Sequence, residues 1–293
     1  MKNKTSIHPV IKKRLKIYDK IKKDININQD FDVVFNAKIK PATLKKLKLV
    51  TIEYVLKCME LEFKKKFKRK NNFLFSYKNE IYKLSNVTPN GVVRPKKENI
   101  KEYFKIQSTL KKILKENGMF KHLNFVEFPE VRIVKPMHEK YPSNRPFATS
   151  KPHSDAWAGH PADGRTNIFI DGDVNNTLIY YLPINPKPSI LTKKKNYNQK
   201  IKTFDGTKRL TQMKNGLFYY FDMLCVHHTK NEKCKPRMSI DFGVTFDSKL
   251  SRFNKNKLSK RYKINFINKK DWTLNGYNKK FGKNLESFYS IIK

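Results

Sequence analysis

Ten residues late in the chain, Arg237 to Phe246 (RMSIDFGVTF), constrain its architecture most. Side chains of an extended strand alternate between its two faces. Arg237, Ser239 and Asp241 therefore share one side, while Met238, Ile240, Phe242 and Val244 share the other. One face is polar and the other greasy, so the strand is expected to line a pocket with the first and to be covered by helices over the second.

Its neighbours support that layout. Residues 125–134, 166–170, 177–184 and 216–221 are short β-rich runs separated by Gly, Pro, Asn and Asp, as in a sandwich or barrel. Upstream, the period is that of a helix. Residues 41–70 open with Pro41 and place Leu44, Leu47, Val50, Tyr54 and Cys58 on one face. Residues 97–117 repeat this character and Gly118 supplies a stop. Residues 73–84 between them suit a short hairpin. The expected organisation is α+β: a mainly helical region over residues 1–120, a β core over 121–247, and a basic extension over 248–293. Within the core, the lysine-rich stretch 186–215 is weakly patterned and expected to be a lid or insertion. Trp272, Tyr277, Phe281 and Phe288 are available to tie the extension down, giving one compact catalytic domain.

Composition removes several function classes. No apolar run approaches the roughly 20 residues that span a bilayer, and the N-terminus lacks the apolar stretch of a secretory signal. Cys58, Cys225 and Cys234 have neither the number nor the spacing of a disulfide framework or zinc site, and suit a reducing, cytoplasmic setting. The formal net charge of +39 invites a polyanion partner, but ten of the 64 basic residues are arginine. Groove readers and phosphate clamps lean on Arg, so this lysine excess is read first as the mark of an AT-rich genome, ahead of polyanion binding or a small anionic substrate. The glycines form no phosphate-cradling loop, and no Ser-His-Asp arrangement is present.

The chemistry-bearing segment is PHSDAWAGHPADGRTNIF. His153 and Asp155, two residues apart, project to the same face of a strand. An imidazole and a carboxylate converging there make two thirds of a 2-His-1-carboxylate site, which leaves open positions on an octahedral ferrous ion. Downstream, FDMLCVHH supplies a distal histidine, and the polar-faced strand supplies Arg237, whose planar guanidinium matches a carboxylate with two parallel hydrogen bonds. Ser239 shares its face. Three ligands around one ion would stand about 3–4 Å apart, given metal–ligand distances near 2 Å.

The ordered set H-S-D, F-D-x-x-x-V-H and R-x-S resembles the pattern of Fe(II)/2-oxoglutarate-dependent dioxygenases. It is most similar to the phytanoyl-CoA-hydroxylase-like branch and to bacterial oxygenases found near carbohydrate-modification genes. The motifs cover residues 152–245 and leave both ends of the chain without support. The resemblance implies a double-stranded β-helix core (jelly-roll or cupin type) with the helical N-terminal region packed on it. It implies Fe(II) on His153, Asp155 and His227, 2-oxoglutarate held by Arg237 and Ser239, and O2 as oxidant. Hydroxylation of a small molecule, such as a carbohydrate or anionic metabolite, would then release succinate and CO2. His228 follows His227 where relatives often carry a small residue. It is the alternative ligand, since adjacent strand residues face opposite ways. His160 and Asp163 read as rim or structural residues. Trp157 suits either a pocket wall or the core. Arg132, Arg145 and Arg165, scarce arginines near the H-x-D segment, suit an anionic substrate, the cosubstrate or surface ion pairs. Two other functions compete. A nucleic-acid-directed oxygenase is disfavoured by the absence of a second arginine after Arg237, and a silent binding barrel by the complete triad.

Overall fold

The computed structural model describes residues 9–134, 151–172, 177–182, 197, 207–212, 214–230, 236–258 and 266–271. From the N-terminus, helix α1 (Pro9–Lys22) leads into a hairpin of β1 (Ile27–Phe31) and β2 (Val34–Lys38). Helices α2 (Pro41–Phe63), α3 (Phe73–Ser76) and α4 (Lys78–Tyr82), strand β3 (Val92–Val93) and helix α5 (Ile100–Glu116) follow. Strands then take over: β4 (Leu123–Glu127), β5 (Glu130–Val134), β6 (Gly164–Gly172), β7 (Thr177–Leu182), β8 (Thr207–Gln212), β9 (Leu217–Asp222), β10 (His227–Lys230), β11 (Arg237–Phe246) and β12 (Phe266–Asn268).

Two antiparallel sheets face each other. In the larger, β5, β11, β6 and β9 are successive neighbours. In the smaller, β10, β7 and β8 are neighbours, and a bridge between His153 and His227 adds the segment at 153 to the edge. The chain thus runs from the large sheet (β5) to the small (153), back to the large (β6), twice through the small (β7, β8), to the large (β9), the small (β10) and the large (β11). Eight segments shuttling between two sheets in this order form a double-stranded β-helix. The β1–β2 hairpin extends the large sheet beyond β9, and β4 and β12 extend it at the other side.

Helices cover the outer face of the large sheet. Leu47, Val50, Tyr54, Val55, Cys58 and Met59 of α2 share one core with Ile106, Leu110, Ile113 and Leu114 of α5 and with the outward Ile168, Ile240 and Phe242. Such a helix is apolar over much of its circumference because it is packed on two sides. It begins with Pro41 in its first turn and stops at Lys64, whose φ of 53° is left-handed. The basic residues 64–70 therefore follow the helix instead of extending it.

The mostly helical region 1–120 also contributes strands, and β2 pairs with β9 inside the large sheet. Three expectations need correction. Residues 73–84 form α3 and α4 instead of a hairpin; Phe73, Leu74, Tyr77, Ile81 and Leu84 are buried, a helical spacing. The run 125–134 splits into β4 and β5 around Pro129, which cannot donate to a ladder. The expected insertion 186–215 contains β8, so strand pairing with β7 overrode its weak pattern. Among the described residues no helix is long and apolar enough to cross a membrane. Cys58 and Cys225 are buried free thiols, the former pushed up to about 11 by burial. Cys234, Arg145, the aromatics of the extension from Trp272 onward and most of 186–206 lie outside the described residues.

Candidate metal centre

His153 and His227 face each other where the small sheet meets its edge segment. The backbone N–H of each donates to the other's carbonyl, at 3.0 and 2.8 Å, so their register is fixed by main chain before any ligand is considered. Their rings stand 4.6 Å apart. Each ring's Nδ1 meets a nearby carbonyl, Lys151 O at 2.6 Å for His153 and Cys225 O at 3.0 Å for His227. A carbonyl only accepts, so Nδ1 carries the proton and Nε2 is left as the lone-pair donor on both rings.

Asp155 arrives differently from expectation. The strand ends at His153, and Asp155 opens a 3-10 turn over Asp155–Ala158. That turn is pinned from below: Ser154 Oγ donates to Met223 O at 2.9 Å, and Ala156 N to the same carbonyl at 3.3 Å. The turn, not strand alternation, brings the carboxylate back toward the histidines. Ligand atoms of His153, Asp155 and His227 all lie within 4.8 Å of one another, a wider limit than the expected 3–4 Å. His153 Nε2 and Asp155 Oδ1 are 3.5 Å apart. His228, one residue on, is not in this cluster.

The electrostatics favour a divalent cation. Burial works to raise the Asp155 carboxyl, but the contact with His153 and the charge of Arg165 hold it well below the usual carboxylate range. Burial, reinforced by His153, pushes His227 down to about 4 against the pull of Asp155. At neutral pH the site thus presents a carboxylate and a neutral imidazole, the protonation that metal binding needs. Asp155 Oδ2 is buried without a hydrogen-bond partner among the described residues. Two imidazoles and one carboxylate fit ferrous iron by donor type and by leaving one side open.

The inner wall of the large sheet continues the site. Arg237 and Ser239 are 3% and 0% exposed, so the polar face of β11 is an interior surface. Ser239 Oγ and, on the adjacent β6, Asn167 Oδ1 are buried and lack a hydrogen-bond partner among the described residues. Arg132 and Arg165 are not surface ion pairs. Both sit inside against Glu130 and Asp241, with Glu130 Oε2 2.7 Å from Nη2 of each. Trp157 is fully buried, 6.4 Å from the ring of Tyr197, which stacks on His153 at 4.4 Å. His160 is buried against Glu127, with Nε2 3.1 Å from both carboxylate oxygens. Asp163 is a structural acceptor for Phe246 N and Arg252 N, each at 2.9 Å.

Sequence reading missed Glu127, Glu130, Asn167, Phe221 and Tyr197. Glu130 and Arg132 had a signal, since their period-two spacing puts both on one face of β5. Phe221, in the F-D motif itself, lies 4.5 Å from the His227 ring. Tyr197 had none, standing alone in a lysine-rich stretch.

No family model matches the chain, and no curated protein matches it. Solved structures similar to it include the non-heme α-ketoglutarate-dependent epimerase SnoN from nogalamycin biosynthesis (10% identity, 78% of this chain and 81% of that one, TM-score 0.42). AviO1 from Streptomyces viridochromogenes is 14% identical over 77% of this chain and 94% of that one, with a TM-score of 0.40. A Pseudomonas putida prolyl-4-hydroxylase is 13% identical over 82% and 97%, with a TM-score of 0.36. The fold assignment stands on the strand pairing described above.

Proposed function

We propose that this chain is an Fe(II)- and 2-oxoglutarate-dependent oxygenase of a small molecule. The observation that carries the reading is the convergence of His153, Asp155 and His227, with both Nε2 atoms freed by carbonyl tethers, at the mouth of a barrel whose inner wall buries Arg237 and Ser239. When bound, iron with 2-oxoglutarate and O2 supplies C–H oxidation, the substrate R–H becoming R–OH as 2-oxoglutarate becomes succinate and CO2. The chain's own residues do the rest. His153, Asp155 and His227 hold the ion from one side. Arg237 takes the far carboxylate of the cosubstrate through charge-assisted hydrogen bonds, and Ser239 Oγ donates another. Trp157 and Tyr197 wall off the His153 side from water.

The substrate we favour is a neutral polar molecule such as a carbohydrate. Arg132 and Arg165 are already matched by Glu130 and Asp241, which leaves the inner wall near the metal without the excess positive charge that an anionic substrate needs. The test is succinate formation from 2-oxoglutarate in air, with and without added Fe(II). Slow, iron-dependent succinate release that disappears in Asp155→Ala, with the melting temperature retained, is the expected result. Iron-independent release, or full activity in Asp155→Ala, refutes the assignment.

A further inference from the structure

Four charged side chains close a ring on the inner wall beside the metal site. Glu130 Oε2 accepts from Arg132 Nη2 and Arg165 Nη2, both at 2.7 Å. Asp241 Oδ1 accepts from Arg165 Nη2 at 3.1 Å. Asp241 Oδ2 stands 3.0 Å from Arg132 Nε, a charge contact that lacks the alignment of a hydrogen bond. The ring crosses three neighbouring strands, β5, β11 and β6, so each side chain is fixed by partners on another strand.

Arg165 reaches one step further. Its Nε lies 3.9 Å from Asp155 Oδ2, while Asp155 Oδ1 lies 3.5 Å from His153 Nε2. The two oxygens of one carboxylate are thus divided between the histidine side and the guanidinium side. Oδ2 has no other polar partner among the described residues.

We propose that Arg165 is a positioning residue for the metal carboxylate, held by Glu130 and Asp241 so that its Nε edge faces Asp155 Oδ2 and leaves Oδ1 to the ion. The inference rests on the metal-site reading above. A guanidinium suits the task because its donors lie in one rigid plane: Nη2 stays in the ring while Nε faces Asp155. The point charge of a lysine cannot serve both. A carboxylate held this way takes one coordination position, keeping open those that a chelating cosubstrate and O2 require.

The experiment is cobalt(II) titration of the metal-free full chain, read by calorimetry and by the visible absorption of bound cobalt. One variant combines Arg165→Met with Asp241→Asn. Removing a cation and an anion together keeps the local charge unchanged, whereas Arg165→Met alone would leave surplus carboxylate to attract the metal. The other is Arg165→Lys, which keeps the charge and loses the fork. Both are expected to bind cobalt at least about tenfold more weakly than wild type, with an altered absorption spectrum. A purely structural role would lower the melting temperature and leave affinity and spectrum unchanged. Wild-type affinity in either variant therefore overturns the proposal, and if the double variant does not fold, Arg165→Lys decides alone. Absence of cobalt binding by the wild-type chain would instead overturn the metal site itself.

Discussion

At the scale of single residues, the roles of neighbours diverge through which atom is tethered. His227 and His228 are chemically identical, yet His227 sits inward with Nδ1 on Cys225 O and takes part in the triad. The F-D-x-x-x-V-H spacing already pointed to His227, and strand alternation made the two mutually exclusive. Burial of that ring has a consequence for stability. Its pKa is about 4 in the folded chain against an ordinary 6.5, so on acidification the unfolded chain takes up the proton first. The metal-free chain should therefore be indifferent to pH above about 6.5 and lose up to about 3 kcal/mol between there and about 4 from this residue. Denaturant unfolding at a series of pH values, compared with His227→Gln, isolates the effect; parallel pH profiles for the two proteins would rule it out. For Arg237, truncation to Ala should raise the KM for 2-oxoglutarate by about 30-fold, equivalent to about 2 kcal/mol of charge-assisted hydrogen bonding. An unchanged KM would mean that another cation holds the cosubstrate.

Among elements, β11 shows how far alternation carries and where it stops. The polar and apolar faces read from RMSIDFGVTF are the inner and outer faces of the barrel wall, and every residue of the strand is buried. Gly243 continues the inner row after Asp241, at a point where no side chain fits. A Cβ there would stand 2.9 Å from Glu127 Oε2, 2.9 Å from His160 Cε1 and 3.0 Å from Ala162 Cβ. Those neighbours cannot easily yield, because Glu127 is bonded to His160 and accepts from Gly243 N at 2.8 Å. Gly243→Ala should cost about 1–3 kcal/mol in urea unfolding, and an unchanged midpoint would show that the Glu127–His160 pair moves aside. The less legible elements failed for stated reasons. Burial spacing in α3 and α4 is helical over stretches too short to display a period, and β8 lay hidden in a tract without strand-like composition.

For the whole molecule, the charge of +39 and the balanced ion pairs of the barrel interior are separate matters. So positive a chain will hold any polyanion weakly at low salt, so binding alone decides nothing. Excess single-stranded or duplex nucleic acid should leave iron-dependent succinate formation unstimulated. Stimulation by one of them, with an oxidised base recovered, would move the substrate from small molecule to nucleic acid. Local patterns were legible in the chain itself: the helical spacing of α2 and α5, the two-faced β11, and an ordered H-x-D, distal His and R-x-S. Each depends on the geometry of a few consecutive residues, which the backbone period imposes wherever they fold. Non-local matters were not legible there. The pairing of β2 with β9, the 3-10 turn that aims Asp155, and the ring joining Glu130, Arg132, Arg165 and Asp241 were decided by the tertiary structure. They depend on the register between strands distant in sequence, which side-chain packing and cross-strand hydrogen bonds select only once both sheets have formed.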